Sequence, residues 1–243
     1  MGTLALQGRN LELDAAILDL DGTLVDTLGD FTEALGRMLA ELALPAVGPE
    51  PVSRMVGKGS EHLLVSVLNY AFAQQGRELS AIEMEAIYAR AWPAYQRHYQ
   101  DVNGQRARVY PGVREGLEAL SRAGLRLACV TNKPTAFAAA LLDATGLAHH
   151  FEQLAGGDAF ERKKPDPQPL LRTCAALGTT PHRTLMIGDS ANDAQAARAA
   201  GCPVLLVTYG YNHGRPAREV DADAWLDSLA ALAPAFAAPV EKF

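Results

Sequence analysis

The sequence predicts an α/β fold: a parallel sheet with helices on both faces, interrupted after its first strand by an all-helical insert. Three observations carry this. Four short apolar runs, at 15–20, 125–131, 184–188 and 203–208, are bounded by Gly, Pro, Asp or Asn and read as strands buried on both faces. Helical patterns alternate with them, and that alternation is the signature of a parallel, Rossmann-like sheet. The stretch 27–100, by contrast, is helical throughout.

The elements follow in order. The first twelve residues carry no clear pattern and are expected to be partly disordered. The run 15–20 is the first strand. In the insert, Leu28, Phe31, Leu35, Met38, Leu39 and Leu42 fall on one helical face, and Thr27 with Asp30 resembles a capping box. The stretch 80–100 is a second long helix, with Pro93 expected to kink or break it. A helix over 110–123 is closed by Gly124, and one over 134–145 by Gly146. Asp166-Pro167 supplies an N-cap and a first-turn proline for a helix ending at Gly178, and a helix over 190–200 is closed by Gly201. After Leu229 the chain becomes an Ala- and Pro-rich tail. The division expected is a catalytic core of 1–26 and 101–243 with a helical cap domain of 27–100. Segments near Asp26-Thr27 and 101–108 would be the hinges.

Composition narrows the function classes. The 243 residues are 49% hydrophobic and 21% charged, as in a globular protein, and no apolar run is long enough to span a membrane. A formal charge of −6 and only five lysines argue against a nucleic-acid surface. An anionic substrate therefore needs locally placed cations. Cys129, Cys174 and Cys202 lie far apart without metal-ligand spacing, which suits small buried thiols in a reducing, cytoplasmic setting. His149-His150 reads as exposed rather than as a metal site, because no other ligand type lies near it in sequence.

Three predicted strands end in polar residues suited to phosphate chemistry. The first delivers Asp19 and Asp21, two residues apart, onto a turn at Gly22. Two acids on one short loop repel, so a bound cation is the natural compensation. The second ends in Thr131-Asn132-Lys133, and another ends in Asp189-Ser190 with Asp193 in the first helical turn. Lys164-Pro165 precedes a helix and supplies a cation. Each element alone is usually a turn or a cap. Together they occur in the order strand-acid, strand-hydroxyl, lysine, strand-acid, each at the edge of the sheet where ligands bind.

The set resembles the haloacid dehalogenase superfamily of phosphatases. Asp19-Leu20-Asp21-Gly22-Thr23 is similar to its first motif; Thr131, Lys164 and Gly188-Asp189-Ser190-Ala191-Asn192-Asp193 are similar to its second, third and fourth. The insert stands where that family carries its helical C1 cap. Thr131-Asn132-Lys133-Pro134, Lys164-Pro165-Asp166-Pro167, Ala200-Gly201-Cys202-Pro203 and Thr208-Tyr209-Gly210-Tyr211-Asn212 resemble the bacterial phosphoglycolate phosphatases, which hydrolyse 2-phosphoglycolate with magnesium. Phosphatases of other sugar phosphates, such as N-acetylmuramate 6-phosphate, look similar too.

The resemblance implies a division of labour. Asp19 would be the nucleophile that forms an aspartyl-phosphate, and Asp21 the general acid and base. Thr131 and Asn132 would donate hydrogen bonds to the phosphoryl group, and Lys164 would stabilise its charge. Gly22 would permit close backbone approach. Mg2+ would be held by Asp19, the backbone carbonyl of Asp21 and Asp189, with Asp193 orienting a metal-bound water or Lys164. In the cap, Arg54 or Lys58, within Met55-Val56-Gly57-Lys58-Gly59-Ser60, would meet the carboxylate of a small acid as the loop closes. A Schiff base on Lys58 is disfavoured by the presence of Asp21. A small phosphorylated metabolite is the expected partner, with no nucleic acid or membrane, for a monomer or homodimer. Two other readings stand beside hydrolysis: a phosphomutase of the same superfamily, and a phospho-receiver module, which would need neither Asp21 nor a cap.

Overall fold

The computed structural model describes residues 2–6 and 9–237. Its elements in chain order are β1 (Gly2–Leu6), β2 (Arg9–Leu13), β3 (Ala15–Leu18), β4 (Val25–Asp26), α1 (Leu28–Glu41), α2 (Pro49–Ser53), α3 (Ser60–Ala73) and α4 (Ala81–Val102). There follow β5 (Arg108–Val109), α5 (Val113–Arg122), β6 (Arg126–Val130), α6 (Thr135–Ala144), β7 (Gln153–Ala155) and α7 (Gln168–Ala176). The last are β8 (Thr184–Gly188), α8 (Ala191–Ala200), β9 (Val204–Val207), β10 (Ala224–Leu226) and α9 (Leu232–Ala237).

Six strands form one parallel sheet in the order β10-β9-β8-β3-β6-β7. The alternation of side chains along each strand divides the core in two. Ala16, Leu18, Leu185, Ile187, Leu205 and Val207 pack in one apolar layer. Their neighbours Ala15, Ile17, Met186, Val204 and Leu206 pack in the layer on the opposite face. Strands sandwiched this way are buried on both faces along most of their length, which is why they read as largely continuous hydrophobic runs. The chain leaves β3 for β6 and β7 on one side, then returns to β8 on the other. The order thus reverses at β3, and ligands bind outside the carboxyl ends of the strands at such a switch point.

A third apolar cluster lies in the helical insert. Phe31, Ala34, Leu35, Met38 and Leu39 of α1 pack with Leu64, Val67 and Leu68 of α3 and with Ala91, Tyr95 and Tyr99 of α4. Tyr211, from the loop after β9, joins this cluster and ties the insert to the sheet. Where the chain enters and leaves the insert, β4 and β5 pair as a short antiparallel ribbon.

Several expectations are corrected. Residues 2–6 and 9–13 are a β-hairpin, with Leu4 and Leu13 fully buried in the core; residues 1, 7 and 8 lie outside the described set. Pro93 does not break its helix, since α4 runs through it for 22 residues. Thr27 and Asp30 form no capping box. Asp30 instead accepts hydrogen bonds from the backbone of Gly104 and Arg106, both at 2.7 Å, and burial lifts its pKa above the usual carboxylate value. The tail after Leu229 includes α9, and Leu229 and Leu232 are buried; residues 238–243 are outside the described set. The three cysteines are buried and free, as expected. Among the described residues no helix is long and apolar enough to cross a membrane.

Candidate active site

β3 and β8 are central, adjacent and in register, so their carboxyl ends project side by side. β3 delivers Asp19 and Asp21, and β8 delivers Asp189. Gly22 has a φ of +87°, a conformation that side chains rarely adopt. A Cβ there would lie 2.2 Å from Asp189 Oδ2. A Cβ on Gly210 would lie 2.3 Å from the Asp189 side chain. The two glycines let backbone close around this carboxylate from two directions.

Carboxylate oxygens of Asp19, Asp189 and Asp193 lie within 4.8 Å of one another, and all three residues are buried. Asp193 sits in the first turn of α8. Its Oδ2 accepts from the backbone N–H groups of Asp189 and Ser190 and from the Ser190 hydroxyl, at 3.2, 3.1 and 2.8 Å. Its Oδ1 accepts from Lys164 Nζ at 2.7 Å. Lys164, also buried, donates to the Val130 carbonyl at 2.7 Å and lies 2.9 Å from Asp19 Oδ1. Asp189 accepts from the Thr23 hydroxyl at 3.2 Å and from the Tyr211 backbone N–H.

The electrostatics of this cluster are unbalanced. Burial, opposed by Lys164 and reinforced by Asp193, pushes the Asp19 carboxyl up to about 7. Burial and the charges of Asp193 and Asp19 push Asp189 well above its ordinary value. Burial alone would lower Lys164, but Asp19 and Asp193 raise it further than burial depresses it, so it stays charged. Ionised together, the three carboxylates would outnumber the one ammonium by two charges in this buried site. Asp19 Oδ1, despite its closeness to Lys164, has no aligned hydrogen bond. An all-oxygen donor set, a buried open acceptor and an excess of two negative charges fit a hard divalent cation.

A cavity of about 20 Å3 opens beside Asp19, room for about one water molecule. Asp19, Asp21, Thr131, Asn132 and Lys133 line it from the core; Phe31, Val56, Gly57, Gly59, Ser60 and Leu63 line it from the insert. The insert's loop is fastened down. Gly57 O accepts from Asn132 Nδ2 at 3.0 Å and from Asn192 Nδ2 at 3.2 Å. Lys163 pairs with Glu61 at 2.7 Å. Asn132 Nδ2 also donates to Lys164 O at 2.8 Å, so in this arrangement its donor faces protein rather than the cavity.

The structure therefore brings together Asp19, Asp21, Gly22, Thr131, Asn132, Lys164, Asp189 and Asp193. It does not bring Arg54 or Lys58 to the cavity. Arg54 is 63% exposed at its side chain and paired with Glu50. Lys58 lines a separate groove with Arg198, His213 and Arg215, beside α8. Nor does the Asp21 side chain join the carboxylate cluster. It accepts from the Thr27 hydroxyl at 2.8 Å and from Lys133 Nζ at 2.8 and 3.0 Å. The sequence places Lys133 at a strand end and Thr27 in a helix cap, and assigns neither of them to Asp21. The signal for Lys133 was its place directly after Thr131-Asn132 at a strand end. Tyr211 holds the same region, its hydroxyl accepting from the backbone N–H groups of Thr27 and Leu28 at 3.0 and 3.1 Å and donating to Asp26.

Comparison with known proteins agrees with this geometry. A haloacid dehalogenase-like hydrolase family model matches residues 16–207. A phosphoglycolate phosphatase of Thiobacillus denitrificans is 45% identical over 196 residues, 81% of this chain and 83% of that protein. A plasmid-encoded phosphoglycolate phosphatase of Cupriavidus necator is 46% identical over 204 residues, 84% of each chain. The crystal structure of a predicted phosphoglycolate phosphatase from Haemophilus somnus superposes with a TM-score of 0.83 at 34% identity, covering 90% of this chain and 95% of that one. With its motif residues gathered at one sheet edge and these similarities spanning most of its length, the chain belongs to the haloacid dehalogenase-like hydrolase family.

Proposed function

We propose that the protein is a Mg2+-dependent phosphate monoester hydrolase that works through an aspartyl-phosphate on Asp19, with 2-phosphoglycolate as its substrate. One observation carries the reaction class: Asp19 faces a cavity shared with Asp21 and is backed by Asp189, Asp193 and Lys164. The relatives above support the choice of substrate.

Asp19, the Asp21 backbone carbonyl and Asp189 would hold the ion, with Asp193 in support. When bound, it neutralises charge between Asp19 and the phosphoryl oxygens. The remaining chemistry belongs to the chain. A carboxylate oxygen of Asp19 attacks phosphorus in line, forming a P–O bond as the bond to the alcohol oxygen breaks. Asp21 gives its proton to the departing alkoxide, then takes one from the water that attacks the acyl-phosphate. Release of inorganic phosphate restores the Asp19 carboxylate. Thr27 and Lys133 fix the Asp21 side chain, and Asp193 fixes Lys164 beside Asp19, where its charge offsets that gathering on the phosphoryl oxygens. Residues 27–100 act as a cap on a core of 1–26 and 101–243. Its loop contacts through Gly57 and Glu61 break to admit substrate and re-form to exclude water.

A panel of phosphate monoesters, assayed with Mg2+ and with chelator, tests the reading. The expected result is metal-dependent phosphate release, fastest on 2-phosphoglycolate. A preference for hexose phosphates, sugar phosphate isomerisation without phosphate release, or full activity in chelator would refute it.

A further inference from the structure

The residue that would recognise the alcohol portion of the substrate is not one the sequence suggested. Among the described residues that line the cavity, Lys133 is the single basic side chain. Other cations near the site, among the described residues, are placed differently. Lys164 is held by Asp193, Asp19 and Val130 O, Lys163 by Glu61, and Arg54 by Glu50, while Lys58 lines the groove beside α8.

Lys133 is 4% exposed. Its ammonium lies 4.6 Å from the ring centre of Phe31 and 5.0 Å from that of Tyr99, both in the helical insert. Two aromatic faces attract the charge and keep water from it. Asp21 accepts two of its contacts, at 2.8 and 3.0 Å, and an ammonium carries three donors. A buried cation with donor capacity to spare, facing a cavity, suits an anion. Its spacing suits a short one. In an ester of a 2-hydroxy acid one methylene separates the bridging oxygen from the carboxylate, placing their oxygens about 3 Å apart. A bridging oxygen at Asp21 would thus set the carboxylate against Lys133, which is itself in contact with Asp21.

We propose that Lys133 is the specificity-determining residue of this site: it binds a carboxylate on the leaving alcohol and so selects phosphate monoesters of small hydroxy acids over neutral esters of equal length. Phe31 and Tyr99 hold the ammonium in place, so the cap contributes its aromatic walls and the core contributes the charge. This rests on the phosphatase reading above, and the test separates the two.

Purified enzyme with Mg2+ is assayed on 2-phosphoglycolate and on ethyl phosphate, in which a methyl group replaces the carboxylate. Wild-type enzyme comes first: release of phosphate from neither ester would sink the phosphatase reading itself, and an equal or greater kcat/KM on ethyl phosphate would sink the carboxylate assignment. In Lys133→Met the ratio of the two kcat/KM values should collapse by roughly 30-fold or more, mainly through KM for 2-phosphoglycolate. Lys133→Arg, which keeps the charge, should retain most of the preference. The ratio is independent of how much of a preparation is folded. A ratio that stays within about threefold of wild type in Lys133→Met, or total loss on both esters in both variants, would overturn the proposal and leave Lys133 as a support for Asp21 alone.

Discussion

Replacing Thr27 with valine separates two roles that the sequence confuses. Thr27 precedes α1 and looks like its N-cap, yet its hydroxyl donates to Asp21 Oδ1 at 2.8 Å and makes no capping bond. Valine keeps the shape and deletes that donor. A hydrogen bond to a charged group contributes about 1.5–3 kcal/mol, which corresponds to roughly a 10- to 150-fold change in rate if it is needed to aim Asp21 in the transition state. A lost N-cap would instead cost about 1 kcal/mol of stability and leave kcat alone. The assay is kcat on 2-phosphoglycolate at saturating Mg2+, beside a calorimetric Tm. The expected outcome is a kcat lower by at least about tenfold, a Tm little changed, and recovery in Thr27→Ser. A Thr27→Val enzyme with normal kcat and a depressed Tm would show that the hydroxyl serves the helix and not Asp21.

Other consequences are as direct. Gly22→Ala forces a Cβ to within 2.2 Å of Asp189 Oδ2 at a φ of +87°. It should cost at least about 1 kcal/mol of stability and roughly 100-fold in activity, and normal values of both would show the turn to be more pliant than its geometry implies. The raised pKa of Asp19, about 7 in the fold against 3.8 without it, means the folded state holds more protons between those values. Asp19 therefore destabilises the metal-free protein progressively as pH rises through that window. His62, His150 and His213 are lowered by burial and act in the opposite sense below their ordinary value of 6.5. None of the three belongs to the carboxylate cluster, whereas protons on Asp19 and Asp189 compete with the ion. The Tm increase on adding Mg2+ should thus be larger at pH 8 than at pH 5. An increase that is the same or greater at pH 5 would refute the carboxylate ligand set.

What could be read in the sequence depended on whether the cause was local. β8 was delimited correctly at 184–188, because an apolar run between polar ends is a local signal. The edge strands β7 and β10, three residues each, are too short to show a pattern and form only because β6 and β9 offer them partners. The β1–β2 hairpin carries only a weak local signal, leucines alternating on either side of Gln7-Gly8. In the site, Asp19, Asp21, Thr131 and Asp189 are legible from their places at strand ends, where the fold class dictates that ligands bind, whereas Lys164, in the loop before α7, and Asp193, in the first turn of α8, are legible only as parts of the motif set. The setting of Lys133 was not, because it is made by Phe31 and Tyr99, which lie far from it in the chain. Arg54 and Lys58 are the cations of a loop expected to close over the site, but a loop position does not fix where a side chain points. Gly57, between them, meets Asn132 and Asn192 of the core through its carbonyl.

The central claim is that Asp19 carries the phosphoryl group, and it can be caught doing so. Enzyme mixed with excess 2-phosphoglycolate and Mg2+ is quenched in acid within one turnover, and the acyl-phosphate is reduced with borohydride. Mass spectrometry of the peptide spanning residue 19 should then show homoserine in place of aspartate. Reduction at Asp189, Asp193 or nowhere, in an enzyme that is releasing phosphate, would contradict the account.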